Sequence, residues 1–396
     1  MPASQPAVRI RAYNVRFGDC VLISFDAGVG EKHILFDFGN APSGVQNEGG
    51  KNDVFAPIAA DITARTKGVL DLLVMSHEHL DHMEGFYSEK TVFDRMTVRE
   101  VWMSIMSAPD YYDRFPNCKP EKSARLALLE TARRWDSRGL WDRLPEPMRA
   151  LIANNVLAVA NRNRIDYLRG LPPKKNVKYL HRGARVPATP SLGPGVRIEI
   201  LAPEKDASTY YPDKNGRMWL QAAGRMTGGV PPSRPRTPKA PAQISLDEFM
   251  ELREAIAELD LADLLMIDKA ANNTSLVVRV TVNGKILLFP GDAEQESWAQ
   301  MRDRRLLAPV DFLKIAHHGS INGMPFEGPT AVLSRLVKPR RQTIALVSTC
   351  RNVYGKSEET MIPHGRLMQA LKDSCSKVYV TQDAADFGEG VDILLT

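Results

Sequence analysis

Short apolar runs separated by turn residues dominate the first hundred residues of the chain. Residues 8–15, 21–25 and 33–38 are rich in β-branched and aromatic side chains, and glycine-containing segments separate them, which predicts three N-terminal strands in a meander. Residues 69–75 form a near-continuous apolar run, typical of a strand buried on both faces. A further strand is predicted at 98–103.

The second half of the chain alternates apolar runs with helical segments. A strand pair is predicted near 177–180 and 196–201. Further strands are predicted at 276–280, 286–289, 312–315, 343–347 and 377–380. Strands that alternate with helices indicate an α/β protein. Two β-rich halves therefore flank a helical middle, which suggests a duplicated half-domain.

Residues 104–175 are predicted to be a helical, basic insertion. Apolar residues within 119–175 recur at helix-like spacing, and this segment holds 13 Lys and Arg but only 6 Asp and Glu. The whole chain has a net charge of +5, so the remainder is slightly acidic. Trp135, Trp141 and Tyr167 lie among the arginines, as in surfaces that bind single-stranded nucleic acid. Rings in such a segment more often form the core of a helical insertion, which is the interpretation we favour.

Residues 204–270 are predicted to be a second insertion, formed by a Pro-rich loop and a helix. Five prolines and three basic residues fall within 226–242, a composition that no helix or central strand accommodates. Ser245 and Glu248 then form a capping box at the start of a helix. We predict a single domain over 1–396 that is interrupted by these two insertions.

Composition narrows the class of protein further. Hydrophobic residues make up 43% and charged residues 25%, which excludes a disordered, collagenous or coiled-coil chain. No run approaches the roughly 20 apolar residues of a membrane helix, and the first seven residues lack the apolar core of a signal peptide. The four cysteines are scattered and form no C-x-x-C pair, so we interpret them as reduced thiols. These features predict a soluble, cytoplasmic protein without membrane contact.

Three imidazoles and two carboxylates lie within six residues, directly after the strand at 69–75. The segment reads His77-Glu78-His79-Leu80-Asp81-His82. Neutral imidazole and carboxylate are preferred ligands of zinc and similar metals. The first two histidines can point one way while the aspartate and the last histidine address a second position, so two metals can share the site. Because three of only eight histidines fall here, a His-rich surface loop is disfavoured.

Two later segments place similar side chains at the ends of predicted strands. Asp292 follows Leu-Leu-Phe-Pro-Gly, and His317 and His318 follow Phe-Leu-Lys-Ile-Ala. Alone, a Gly-Asp turn or a histidine pair is more often structural. Together with the first motif, they supply a carboxylate and an imidazole at the strand ends, where α/β sheets build their sites.

The H-x-H-x-D-H motif, the later Gly-Asp and the His-His-Gly-Ser segment together resemble the metallo-β-lactamase-fold hydrolases. Finer features are similar to the hydrolase domain of ComEC-type DNA-uptake proteins, namely Gly18-Asp19, Asp37-Phe38-Gly39, Asn272-Asn273-Thr274-Ser275-Leu276 and Pro363-His364. The resemblance covers 7–103 and 177–396 apart from the insertions at 104–175 and 204–270, and it includes no membrane channel. It implies an α/β fold, the four-layer αββα sandwich.

By position, the resemblance implies ligands for two divalent metal ions, with Zn²⁺ the expected ion and Mn²⁺ the alternative. The implied ligands are His77 and His79 for one ion, Asp81 and His82 for the other, Asp292 bridging both, and either His317 or His318 completing the second site.

Other residues have implied roles around these ligands. Asp37 would orient a ligand by hydrogen bonding, and Asp81 would also take part in catalysis. His364 would donate a proton to the leaving group or bind a phosphate oxygen. Many members of the wider fold have a further histidine, for which His181 is the one candidate. Its setting is typical of an ordinary strand end, which leaves three alternatives for the first site: it is incomplete, it is completed by water or Asn273, or it is occupied only with substrate.

The implied reaction is hydrolysis by a metal-activated hydroxide, because zinc lowers the pKa of bound water from 15.7 to about 7. A phosphodiester in nucleic acid or a nucleotide is the preferred substrate, since two cations clamp its oxygens and the basic insertions would hold a polyanion. The alternatives are hydrolysis of a carboxylic ester, thioester, lactone or lactam, and a metal-stabilised interaction module whose insertions bind a protein partner.

Overall fold

A computed structural model describes most of the chain. The described residues are 7–26, 28–41, 52–144, 148–149, 151–155, 162–173, 176–186, 192–211, 218–219, 261–351, 353, 357–358 and 360–396. Their strands are β1 (Val8–Tyr13), β2 (Val21–Asp26), β3 (Glu31–Phe36), β4 (Val69–Leu70), β5 (Leu72–Met75), β6 (Thr97–Val98), β7 (Val101–Ser104), β8 (Val177–Leu180), β9 (Val196–Ala202), β10 (Val277–Val282), β11 (Lys285–Phe289), β12 (Phe312–Lys314), β13 (Ile344–Val347), β14 (Lys377–Val380) and β15 (Gly390–Leu395).

The helices follow the same α/β alternation along much of the chain. They are α1 (Phe55–Thr66), α2 (Leu80–Ser88), α3 (Lys90–Phe93), α4 (Tyr111–Arg114), α5 (Lys119–Ser137), α6 (Arg162–Gly170), α7 (Leu261–Asn273), α8 (Gln295–Asp303), α9 (Leu333–Leu336), α10 (Gly365–Ser374) and α11 (Thr381–Ala384).

Two large sheets form the middle of the molecule. One has the strand order β15-β1-β2-β3-β5-β7-β8, with β3, β5, β7 and β8 parallel. The other has the order β14-β13-β12-β11-β10-β9, with β11 to β14 parallel. Their inner faces pack against each other, as in the stacked rings of Phe36 and Phe289, whose centroids are 4.1 Å apart.

Helices cover the outer face of each sheet because those faces are also apolar. Residues of α1, α2, α3 and α6 pack on the first sheet, and residues of α8, α9 and α10 pack on the second. Burying both faces of a sheet in this way is what near-continuous apolar strands predict. The four-layer αββα sandwich expected from the sequence is therefore confirmed.

The described residues of the two predicted insertions share a separate hydrophobic core. Trp135 in α5 packs there with Trp219 and with Ile267 in α7, and Trp141 lies against its edge. Trp135 is fully buried, so it belongs to this core and is not available to stack on a base. The division into one domain with insertions at 104–175 and 204–270 stays a prediction.

Three expectations from the sequence were wrong in detail. The run at 69–75 forms two strands that meet at Asp71. The residues before Asp71 pair with β6, and those after it pair with β3. The Asp71 carboxylate accepts a hydrogen bond from His33 N–H at 3.0 Å. The run at 98–103 is likewise split between β6 and β7. The strands near 177–180 and 196–201 are not a pair, because β8 and β9 lie in different sheets.

Other expectations fall on or beyond the limits of the described chain. The Pro-rich stretch 226–242 and the capping box of Ser245 and Glu248 lie outside the described residues. No α-helix within the described ranges is both long enough and apolar enough to cross a bilayer.

Candidate metal centre

The carboxyl ends of parallel strands from both sheets meet at one place. Asp37 follows β3, His77 follows β5, Asp292 follows the turn after β11, and His318 follows β12. Side chains at the carboxyl ends of neighbouring parallel strands lie at the same edge of a sheet. The packing of the two sheets therefore brings together residues that are far apart in the sequence.

The backbone of the H-x-H-x-D-H motif is held by two neighbouring loops. Phe38 N–H donates to the His82 carbonyl at 2.8 Å, and Asp19 N–H donates to the Asp81 carbonyl at 3.0 Å. The loops approach so closely that a Cβ atom on Gly39 would lie 2.2 Å from the Leu80 carbonyl oxygen. Glycine is needed there because no larger residue fits.

Four predicted ligands converge into one buried cluster, which consists of Asp81, His82, Asp292 and His318. Their ligand atoms all lie within 4.8 Å of one another, and each residue is at most 4% exposed. Asp292 Oδ2 is 3.1 Å from His82 Nε2 and 3.2 Å from His318 Nε2. His318 Nε2 is also 3.3 Å from Asp81 Oδ2.

Hydrogen bonds behind the two imidazoles fix which nitrogen of each faces the cluster. His318 Nδ1 lies 3.0 Å from the Ser348 carbonyl, which can only accept, so Nδ1 is the donor and the Nε2 lone pair faces inward. His82 Nδ1 lies 2.9 Å from the Asp37 carboxylate and donates to it, so the Nε2 lone pair of His82 also faces the cluster. Metal-binding histidines commonly have this arrangement.

Several buried polar atoms of the cluster lack an aligned hydrogen bond. Within the described residues, these are Asp81 Oδ1, His82 Nε2, Asp292 Oδ1 and His318 Nε2. Leaving such atoms unsatisfied is costly, and a divalent cation held by these four residues would offset that cost. Two imidazoles and two carboxylates are a suitable donor set for zinc or manganese. The cluster therefore fits a metal ion.

The electrostatics of the cluster also favour bound positive charge. Burial alone would lower the pKa of His82, but the three surrounding carboxylates, above all Asp292, raise it well above its usual value. Burial likewise opposes protonation of His318, yet Asp292 and its neighbours raise its pKa to about 10. Despite burial, His82 and His318 hold the pKa of Asp292 well below its usual range. A bound metal ion would replace the protons on these imidazoles.

His77 and His79 lie beside this cluster without belonging to it. The His77 ring centroid is 4.3 Å from that of His82 and 4.6 Å from that of His79. His77 Nε2 is buried and has no hydrogen-bond partner among the described residues. Burial, together with the charges of His82 and His79, lowers the pKa of His77 well below its usual value, which favours the neutral form that binds metal. Their role as ligands of the first ion stays a prediction.

Two asparagines of the helical insertion reach the motif, and the sequence did not identify them. Asn155 Nδ2 donates to the Leu151 carbonyl and to Asp268, so its Oδ1 is the acceptor that lies 3.1 Å from His79 Nε2. His79 therefore keeps Nδ1 available for a metal. Asn154 Oδ1 accepts a hydrogen bond from Leu80 N–H at 2.9 Å.

The structure distinguishes the two adjacent histidines after β12. Both have left-handed backbone angles, with φ of 47° at His317 and 53° at His318. His318 joins the buried cluster, whereas His317 Nδ1 lies 3.1 Å from Glu294 Oε1. His317 belongs to a second group with Asp268 and Glu294. Of the two alternatives left open by the sequence, His318 is the one placed in the cluster.

Lys314 is a further buried group that sequence reasoning missed. Its Nζ forms an ion pair with Asp19 and lies 3.8 Å from Asp292 Oδ1. Burial alone would lower the pKa of Lys314, but Asp19 and Asp292 raise it. The signal in the sequence was a single lysine within the apolar strand β12.

Three predicted residues lie outside the cluster. The Asn273 amide nitrogen donates to the Lys269 carbonyl and to Glu296, and its oxygen accepts from Ser297 N–H, so these hydrogen bonds join α7 to α8. The role of Asn273 beside the first metal ion stays a prediction. His181 Nδ1 forms a hydrogen bond with the carbonyl oxygen of the adjacent Arg182. His364 is buried, and its N–H donates to the Gly319 carbonyl at 2.9 Å.

Comparison with known proteins adds little to this geometry. No family model matches the sequence, and no curated protein matches it. Among solved structures, the chain is similar to the metallo-beta-lactamase fold protein YhfI from Bacillus subtilis, with 10% sequence identity, coverage of 98% of this chain and 99% of that chain, and a TM-score of 0.37. The sandwich and the buried histidine–aspartate cluster are compatible with the metallo-β-lactamase fold.

Proposed function

We propose that the protein is a metal-dependent hydrolase that cleaves phosphodiester bonds in nucleic acid or a nucleotide. The observation that carries the proposal is the buried cluster of Asp81, His82, Asp292 and His318, with its unsatisfied donor atoms. These residues would hold one ion, and His77 and His79 would hold a second, with Zn²⁺ or Mn²⁺ as the ion. When bound, the ions supply an activated water molecule and stabilise charge on the attacked group.

The protein's own residues would orient and protonate the reacting groups. Asp37 and the Ser348 carbonyl keep the imidazoles of His82 and His318 in the metal-binding tautomer. The buried Nδ1 of His364 has no partner among the described residues, and its backbone is attached to the residue after His318. We assign His364 the donation of a proton to the leaving group.

A polar cavity beside the motif supports an anionic substrate. It has a volume of about 190 Å³ and is lined by Glu78 of the motif and by Lys122, Arg125 and Arg169 of the helical insertion. Arg125 is 6% exposed, and its Nε and Nη2 have no aligned hydrogen bond within the described residues. Arg125 also pairs with Glu78 and Glu121, and Arg169 pairs with Asp166, so the lining carries three cations against two carboxylates, Glu78 and Asp166. This small excess of positive charge supports a phosphate over a neutral ester. The similarity to ComEC-type hydrolase domains is part of the same proposal.

The test is hydrolysis of bis-p-nitrophenyl phosphate after the protein has been stripped of metal and reloaded with Mn²⁺ or Zn²⁺. We expect turnover that depends on metal and is lost in Asp81→Ala and His82→Ala. His364→Ala should lower kcat while the bound metal is retained. Arg125→Gln should raise KM for a longer oligonucleotide more than it lowers kcat.

Two other outcomes would contradict the proposal and identify its alternatives. Cleavage of a lactone or thioester, with no turnover of phosphodiesters, would indicate a carbonyl hydrolase. Bound metal without any hydrolysis would favour an interaction module that binds a protein partner through its insertions.

A further inference from the structure

A second polar cluster lies on the other side of His79, and the proposed reaction does not use it. It consists of Asp268 on α7, Glu294 just before α8 and His317 after β12. One ligand atom from each of these residues lies within 4.8 Å of the other two. Glu294 Oε1 is 3.1 Å from His317 Nδ1.

The two carboxylates of this cluster are buried, and the groups within ion-pair distance of them are histidines: His317 Nδ1 faces Glu294, and His79 Nε2 lies 3.9 Å from Asp268 Oδ1. Asp268 is 9% and Glu294 is 2% exposed, and among the described residues neither forms an ion pair with a lysine or arginine. Glu294 Oε2 and His317 Nδ1 also lack an aligned hydrogen bond in the described chain. Burying carboxylates is costly unless they are paired or bound to metal, and imidazoles beside them are themselves metal ligands.

Amide groups hold the two carboxylates in place and leave acceptor positions open. Asn272 Nδ2 donates to Asp268 Oδ2 at 3.1 Å and to Glu294 Oε1 at 2.9 Å. Asn155 Nδ2 donates to Asp268 Oδ1 at 2.8 Å. Each carboxylate oxygen offers about two acceptor positions, so these bonds orient the acids without saturating them. Ligating carboxylates are typically supported in this way.

We propose that Asp268, Glu294 and His317 bind a divalent transition-metal ion at a site separate from the cluster around Asp292. Two carboxylates and one imidazole suit Mn²⁺ or Zn²⁺, with water at the remaining positions. The inference does not depend on hydrolase activity, because it concerns metal binding alone. Asn155 connects this site to His79, so the bound ion would also stabilise the orientation of His79.

Counting bound ions tests this site. Metal-free wild-type protein and the Asp268→Asn/Glu294→Gln double variant are dialysed against the same free Mn²⁺, and bound metal is measured by elemental analysis. The double variant is expected to bind one ion fewer per chain than the wild type. Glu296→Gln is the matched control, because Glu296 lies near Glu294 but bonds Lys269 and Asn273 instead. It should bind as many ions as the wild type.

A variant of the other cluster separates the two sites. His318→Ala should lose ions at the Asp292 cluster and keep the ion at Asp268. If the double variant does not fold, His317→Ala is the substitute, because the His317 side chain is 19% exposed. This variant should bind the ion at Asp268 and Glu294 at least tenfold more weakly than the wild type. Equal ion counts in the wild type and the folded double variant, or unchanged binding in His317→Ala, would overturn the proposal. If the protein binds the ion at Asp268 and Glu294 but does not hydrolyse phosphodiesters, the proposed function is contradicted and this metal site is not.

Discussion

The carboxylate of Asp37 decides which nitrogen of His82 faces the metal centre. Its Oδ1 accepts a hydrogen bond from Ser76 N–H at 2.7 Å, and its Oδ2 lies 2.9 Å from His82 Nδ1. A carboxylate can accept both bonds because it has no proton to donate. Asp37 thus connects the residue after β5 to the imidazole of His82 and sets the tautomer of that imidazole.

Asp37→Asn should weaken metal binding by about 10–100-fold. The single amide oxygen would remain with Ser76 N–H, and the amide nitrogen would face His82 Nδ1. This would move the imidazole proton to Nε2 and remove the inward lone pair. Titration with Zn²⁺ against a competing chelator measures the change.

Asp311→Asn is the matched control for this substitution. Asp311 lies at the opposite end of β12, where its carboxylate accepts a hydrogen bond from Ile286 N–H and pairs with Lys338. The metal affinity of the Asp311→Asn variant should equal that of the wild type. A wild-type affinity in folded Asp37→Asn would show that Asp37 does not set the tautomer.

At the scale of the elements, close backbone contacts position the turn between β5 and α2. A Cβ atom at Gly39 would lie 2.2 Å from the Leu80 carbonyl oxygen and 2.5 Å from His82 N. Both neighbours are backbone atoms, which cannot rotate away. The loop after β3 and the metal-binding turn therefore pack backbone against backbone, with no room for a side chain at position 39.

Gly39→Ala should lower the free energy of unfolding by about 1–3 kcal/mol or more and weaken metal binding as well. Urea unfolding and metal titration measure the two effects. Gly170→Ala is the control, because a Cβ atom added there would meet no other atom within 4 Å and the φ of Gly170 is not left-handed. Its free energy of unfolding should stay within about 0.5 kcal/mol of the wild-type value. Wild-type stability and affinity in Gly39→Ala would contradict the proposed contact.

A charged junction connects the two sheets at the end of β9. Glu204 pairs with Arg182, which follows β8, and with Arg304, which follows α8. Burial alone would raise the pKa of Glu204, but hydrogen bonds and charge from these arginines lower it below its usual value. Because the folded pKa is depressed, the stabilisation is present above the unfolded pKa of about 4.3 and is lost as the pH falls through the folded pKa.

Glu204→Gln should therefore destabilise the protein at pH 7 and much less at low pH. Chemical unfolding at a series of pH values between 7 and 3 measures the difference from wild type. Arg304→Gln, which removes one partner, should reduce the same pH dependence in part. A constant difference at every pH would rule out an ionised Glu204 as its source.

At the scale of the whole molecule, the metal centre exists only when both sheets are in place. Its ligands come from the H-x-H-x-D-H turn of one sheet and from the strand ends of the other. An ion that binds the folded chain but not the unfolded chain stabilises the fold by mass action, by about 2.7 kcal/mol at a free ion concentration of 100 Kd.

Added Zn²⁺ or Mn²⁺ should accordingly raise the Tm of metal-free protein, and a chelator should reverse the rise. Thermal unfolding over a range of ion concentrations provides the measurement. The double variant Asp81→Ala/His318→Ala should show a clearly smaller increase. An equal increase in this variant would place the stabilising ion elsewhere.

Much of the fold was predictable because the relevant signals are local. Apolar runs bounded by turn residues identified most strands of both sheets to within two or three residues. The strand at 390–395 was not predicted, because its alternating exposed and buried residues gain a core face only by pairing with β1. The break at Asp71 was missed for a similar reason, since it depends on which strand pairs with each side.

The candidate site was predictable only in part. The chain itself displays histidines and aspartates at strand ends, so the members of the main cluster were recognisable. Asn155 was not recognisable, because it bonds His79 across 76 positions of sequence. Asp268 and Glu294 carried no motif, and only the packing of α7 against α8 brings them to His317.

The types of ligand and their places after strands could be predicted from the sequence, because both are set by neighbouring residues and the alternation of apolar and polar positions. The selection of His318 over His317 for the cluster, and of the nitrogen of each histidine that faces inward, depends on the folded chain. Those outcomes depend on backbone turns, burial and hydrogen-bond acceptors supplied by distant segments. Such contacts form when the two sheets pack together, and no local pattern encodes them.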